Sequence, residues 1–136
     1  MNRFKYFILI TIILEMRSTG YSQTQRFDIA TYLAPKGWQE EKSAGHISYA
    51  QVNGTNWVQI VIYKSTASTG NKDSDFEKEW NEVVAAGKTV SAPEKTAPRT
   101  VKGWNIVSGS GTWQYNGANV TSVLTLYSND KVFFSV

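Results

Sequence analysis

Apolar and polar positions alternate through much of this chain, and the breaks in that alternation mark its turns. His46-Ile47-Ser48-Tyr49-Ala50-Gln51-Val52 alternates with a period of two, the pattern of a half-buried strand. Asn53-Gly54 follows, and Asn-Gly between alternating runs is the strongest short-range hairpin signal, because both turn residues must take positive φ. The returning strand is Asn56 to Tyr63, with Val58, Ile60 and Ile62 on one face and Trp57, Gln59, Val61 and Tyr63 on the other. Upstream, Phe27 to Leu33 reads as extended, Pro35 and Gly37 stop it, and Trp38 to Lys42 reads as a short strand.

The period then changes. After a polar loop from Ser65 to Ser74, Phe76, Trp80, Val83 and Val84 fall at i, i+4, i+7 and i+8, one apolar helix face. Ser74 and Glu77 are spaced as a capping box, and Gly87 stands where a helix ends on a left-handed residue. Asp75, Glu79 and Glu82 are expected on the opposite, solvated face. Lys88 to Gly103, with Pro93 and Pro98, reads as a long connection over the surface. Trp104 to Tyr115 is apolar but carries Gly109 and Gly111, which suggest a bulge or a close backbone approach. Without a bulge, Trp104 and Ile106 cannot share a face with Trp113 and Tyr115. Asn116-Gly117 predicts a second hairpin, Ala118 to Tyr127 a long strand, Asn129-Asp130 a third turn, and Lys131 to Val136 a last strand. The fold class is therefore α+β. The expected architecture is an antiparallel sheet of five or six strands: a hairpin, one helix packed on one face, then a three-stranded meander. The sequence ends on the apolar strand Val132, Phe133, Phe134 and Val136, and such a strand is expected to be covered, so the chain is expected to be a fragment or to lack its last helix.

The first 22 residues do not belong to this pattern. Arg3 and Lys5 precede the apolar run Tyr6 to Leu14, and small residues end the segment at Gly20-Tyr21-Ser22. This is the three-part build of a secretory signal peptide, predicting cleavage after Ser22 and a single domain over residues 23–136. The run is well short of the roughly 18 apolar residues that span a bilayer, so no transmembrane helix is expected in the mature chain. Export to the periplasm or outside the cell is the expected localisation.

Charge reads differently once that segment is set aside. The 136-residue chain has a formal net charge of +3, which invites a nucleic-acid reading. Arg3, Lys5 and Arg17 lie in the leader with Glu15, which leaves eleven basic and ten acidic side chains in residues 23–136, a net +1. The remaining lysines are scattered rather than gathered into a basic stripe, and no nucleic-acid partner is expected.

Candidate chemistry is sparse. With no cysteine there is no disulfide, thiolate nucleophile or Cys-held metal, and one histidine excludes a multi-His metal site. His46 is the only imidazole, and no recognisable motif sets a serine or aspartate beside it. Gly109-Ser110-Gly111 lacks the spacing of a nucleophile elbow, and Ser128-x-x-Lys131 spans a turn rather than opening a helix. Asn71, Asp73, Asp75 and Glu77 alternate like a calcium loop, but counted from Asp73 the glycine such a loop needs at its sixth position is replaced by Lys78. The acidic residues are better explained by the positive end of a helix dipole. Asn53 and Asn119 open glycosylation-type sequons, and Asn53 is better explained by its turn. No enzyme activity, cofactor or metal is expected.

Five tryptophans remain to be placed. Trp80 belongs to the helix's apolar face. Trp38, Trp57, Trp104 and Trp113 lie on or beside strands and are the candidate binding residues. They are either core of a small domain or a face that stacks on a sugar or a protein partner.

Phe27-Asp28-Ile29, Pro35-x-Gly37-Trp38, the hairpin about Asn53-Gly54, one Phe/Trp helix and the later meander resemble uncharacterised exported proteins of Bacteroidota. The same order is similar, more distantly, to the Mog1/PsbP-like group, with its PsbP and DcrB-type members. The likeness covers residues 27–136 and implies an antiparallel sheet flanked by helices and a binding or assembly role without catalysis. The group's closing helix and lipobox cysteine have no counterpart here. The expected function is an exported, non-catalytic binding or assembly domain of the cell envelope, its partner an unknown protein or small ligand. The alternative is a carbohydrate-binding module that uses the four tryptophans.

Overall fold

The computed structural model describes residues 23–136. The signal peptide expected at 1–22 lies outside the described residues. Among the described residues there are eleven strands and one short helix, and every strand pairing there is antiparallel. In chain order they are β1 (Thr24–Phe27), β2 (Ala30–Leu33), β3 (Gln39–Lys42), β4 (His46–Asn53), β5 (Asn56–Tyr63) and β6 (Thr66–Ala67). Helix α1 (Lys72–Glu79) runs into a π-helical turn at Trp80–Val84. β7 (Glu94–Lys95), β8 (Arg99–Val101), β9 (Trp104–Tyr115), β10 (Ala118–Ser128) and β11 (Val132–Ser135) follow.

These strands form three sheets rather than the one expected. β1 and β2 pair alone; β3, β4 and β5 form a second sheet; β6, β11, β10, β9 and β7 form the third, with β8 also on β9. The stretch read as a surface connection supplies two of the third sheet's members. Lys102 (φ 49) and Gly103 (φ 80) make a two-residue turn with both φ positive, so Arg99–Val101 folds back onto Trp104–Ile106. A lysine at the first turn position hides that hairpin from a search for Asn-Gly. The Asn53-Gly54 hairpin also differs from expectation in its turn. Asn53 pairs with Asn56 as the end of β4, so the loop is Gly54-Thr55 with Gly54 at φ 62, the arrangement of a type II′ turn.

The helix begins earlier than the capping box predicts. Asn71 is its N-cap, accepting from the N–H groups of Asp73 (3.0 Å) and Ser74 (3.1 Å). Its apolar face meets the third sheet as one buried cluster: Phe76, Trp80 and Val84 with Val107, Leu124, Leu126 and Phe133. Phe76 and Trp80 stack with centroids 6.0 Å apart. They lie flat where β9 has no side chains. A Cβ on Gly109 would stand 2.6 Å from Phe76 Cζ, and one on Gly111 would stand 2.9 Å from Trp80 Cζ2. The two glycines mark close approach, and β9 has no bulge: its register against β10 is unbroken from Tyr115–Ala118 to Asn105–Ser128. Trp104 and Ile106 therefore face one way, and Trp113 and Tyr115 the other.

The other side of the sheet packs a second cluster of Phe27, Ala30, Ile47, Tyr49 and Ile62, with Trp38, Phe134 and Val136 against it. β11 divides its side chains between the two, Phe133 to the helix cluster and Phe134 to the second. Each fully buried large apolar side chain contributes about 1.5–3 kcal/mol of transfer free energy.

Asp75 and Glu79 correct the expectation of a solvated helix face, for both are buried while Glu82 is exposed. Each has donors that replace water, as a buried carboxylate requires. Asp75 accepts from Ser68 Oγ (2.5 Å), Thr69 N (2.9 Å) and Thr69 Oγ1 (2.8 Å), which ties the preceding loop to the helix. Glu79 accepts from Ser135 Oγ on β11. Burial alone would raise the Asp75 pKa, but the hydrogen bonds outweigh it and hold the carboxyl below its ordinary value. At Glu79 burial wins, helped by the nearby Glu82 carboxylate, and the pKa is raised.

Candidate binding groove

Both long hairpins are buried at one end and bare at the other. In β4–β5, Ile47, Tyr49 and Ile62 are core, whereas Val52, Trp57, Val58 and Ile60 are exposed. In β9–β10, Val107, Leu124 and Leu126 lie under the helix, whereas Tyr115 and Val123 are 52% and 60% exposed. Val58, Ile60 and Ile62 do share a face, as their alternation requires, but only Ile62 reaches the core.

Much of this exposed apolar surface borders one groove of about 740 Å³. β5 forms one wall and residues Ala118–Thr125 of β10 the other, while Val83 and Val84 from the π-helical turn contribute from the helix. Trp113 and Tyr115 extend the β10 wall, their rings edge to face with centroids 6.0 Å apart. The single charged side chain in the lining is Lys88, whose Nζ lies 4.4 Å from the centre of the Trp113 ring. Trp113 Nε1 donates to Ser122 Oγ at 3.0 Å, which fixes the indole against its own sheet.

The four candidate tryptophans divide between two places. Trp57 and Trp113 border the groove, with Trp57 46% exposed and Trp113 half-buried. Trp38 packs half-buried on the second cluster. Trp104 meets Phe134 edge-on at 5.8 Å, and Phe134 stacks on Tyr127 at 4.7 Å. No known family model, curated protein or solved structure matches the chain. The groove is therefore read from its own chemistry, which is apolar, aromatic and almost uncharged.

Sequence reasoning missed Val58, Ile60, Val123 and Tyr115 as groove residues because it weighed only the tryptophans as a binding face. A signal was present. Trp57-Val58-Gln59-Ile60-Val61-Ile62-Tyr63 is apolar on both faces and uncharged, unusual for the outer strand of a small sheet.

The polar residues lie elsewhere. His46 Nδ1 is 3.0 Å from Ser43 Oγ, and that hydroxyl also accepts from the backbone N–H groups of Gly45 and His46, so it closes the β3–β4 turn. The His46 ring lies against Tyr63, at 5.8 Å between centroids. Burial, with the Glu79 charge behind it, raises the Tyr63 pKa. Among the described residues no group of three or more acidic or imidazole side chains is placed to hold a metal, and no helix is long and apolar enough to cross a membrane.

Proposed function

We propose that this chain is an exported, non-catalytic binding or assembly domain of the cell envelope, and that it works through the groove between β5 and β10. One observation carries the reading: bare apolar side chains from two separate hairpins line a single depression in which Lys88 is the one charged side chain. A domain of this size seldom leaves such a patch to water without a partner to cover it. The export half of the reading rests on the charged, apolar and small-residue segments of residues 1–22. The sugar reading draws less support, since Trp57 alone of the four candidates is an exposed ring and Lys88 lies over Trp113.

The test places a photo-crosslinking residue at Trp57 and, separately, at Glu41 on the charged strand β3 of the full-length protein in its native cell. A discrete adduct from position 57 and none from position 41 is the expected result. Equal labelling from both, or none from either, would overturn the groove as a binding site. Mass spectrometry of the same purified protein should give Gln23 as the first residue, and an intact Met1 would refute export.

A further inference from the structure

The start of the folded domain carries chemistry that the groove does not use. Removal of residues 1–22 leaves Gln23 at the amino terminus, one position before β1. Gln23 is exposed and lies outside the β1–β2 ladder, which begins where Thr24 pairs with Leu33. It makes no hydrogen bond to any described residue. A carboxamide and a new α-amine then share one unrestrained residue.

That combination is reactive. An α-amine titrates at about 7.7–8.0, so a fraction of it is an unprotonated nucleophile at neutral pH. The amine reaches its own side-chain carbonyl carbon by closing a five-membered ring, and such proximity replaces a bimolecular encounter. Resting on the export reading above, we propose that Gln23 closes on itself to a pyroglutamate cap that shields β1 from trimming. The α-nitrogen bonds to Cδ and the Cδ–Nε2 bond breaks. A proton passes from the amine to the leaving nitrogen, and ammonia departs. No oxidant, reductant or second substrate enters the step.

The ring guards a core strand. Phe27 ends β1 and is 7% exposed in the second cluster, with Ala30, Ile47, Tyr49 and Ile62. Gln23 and the exposed Thr24, Gln25 and Arg26 are all that separate Phe27 from the new terminus. Proteolysis concentrates at such chain ends. An exopeptidase that grips a free α-ammonium would strip the pairings of Thr24 with Leu33, Gln25 with Tyr32 and Arg26 with Thr31, and would then reach the cluster. The lactam has no ammonium to grip. Closure uses atoms of residue 23 alone, so the peptide groups from Thr24 onward keep their partners.

The test digests the protein, purified from its native cells, with trypsin and weighs the peptide that ends at Arg26. A synthetic peptide of the sequence Gln23 to Arg26 passes through the same steps. The protein's peptide should start at residue 23 and be one ammonia lighter than the linear form, while the synthetic peptide keeps its ammonia. Aminopeptidase should release nothing from the native chain and should trim a Gln23→Ser variant exported by the same cells. An unmodified Gln23, equal loss of ammonia from the synthetic peptide, or a first residue other than Gln23 would overturn the cap. Equal resistance of Gln23→Ser would overturn its protective role. Recovery of Ser18 to Arg26 alone, the tryptic product of an uncut leader, would refute export itself. An unmodified Gln23 leaves export standing, so the two readings fail separately.

Discussion

At the base of the β9–β10 hairpin, Gly109 and Gly111 give up their side chains so that Phe76 and Trp80 can lie against the strand. A few residues nearer the turn, the same strand carries Trp113 and Tyr115 toward the same side, where the helix no longer reaches. The base is small residues filled by large rings from elsewhere. The tip is large rings outside the buried cluster, with Lys88 set over Trp113. One strand thus holds both halves of a packing contract, and only the base is completed internally. The difference teaches that burial here follows the reach of α1 rather than strand composition, since Trp113 and Tyr115 at the tip are larger apolar side chains than Val107 at the base, yet only Val107 is in the buried cluster.

Mutation can break that comparison. Phe76→Ala empties the base and should cost about 3–5 kcal/mol, read as a lower urea midpoint. Gly109→Ala asks for a Cβ 2.6 Å from Phe76 Cζ and should cost about 1–3 kcal/mol of unfolding free energy through overpacking. Acid titration comes third and separates the two buried carboxylates of the helix. Asp75 has a lowered pKa in the folded state, so its contribution is present above its ordinary value of 3.8 and is lost as pH falls through the folded value. Glu79 has a raised pKa, so the folded state holds its proton longer, and stability declines as pH rises from 4.5 through the folded value. Thermal unfolding against pH should therefore show Glu79→Gln removing the upper decline and Asp75→Asn removing the acid-side loss. The smallest effect belongs to the tip. Tyr115→Ser and Val123→Thr should change stability by no more than about 0.5 kcal/mol. A loss of several kcal/mol at either tip position would mean that the tip is core after all.

How much of this was legible in the residues depends on how local the cause is. The β4–β5 hairpin, the helix face at Phe76, Trp80 and Val84, and the β9–β10 turn at Asn116-Gly117 all follow from spacing within a few positions. The partition into three sheets does not, because it depends on which strands meet across long separations, such as β11 with β6. The N-cap moved from Ser74 to Asn71 because two side chains competed for one role within a single turn. Asp75 and Glu79 look solvated in a helical projection. Their burial needs Ser68, Thr69 and Ser135 as donors, and the last lies 56 positions away. The groove was half legible. Trp57 and Trp113 were singled out as tryptophans, yet what brings them to one groove is the approach of two hairpins far apart in sequence.

β11 sends Phe133 into one cluster and Phe134 into the other, with Ser135 bonded to the helix between them. A strand shared in this way makes the two cores mechanically one. Pulling β11 away would open both at once, so the amides of Tyr49 in the second cluster and Leu124 in the first should exchange with a common opening free energy rather than as separate units.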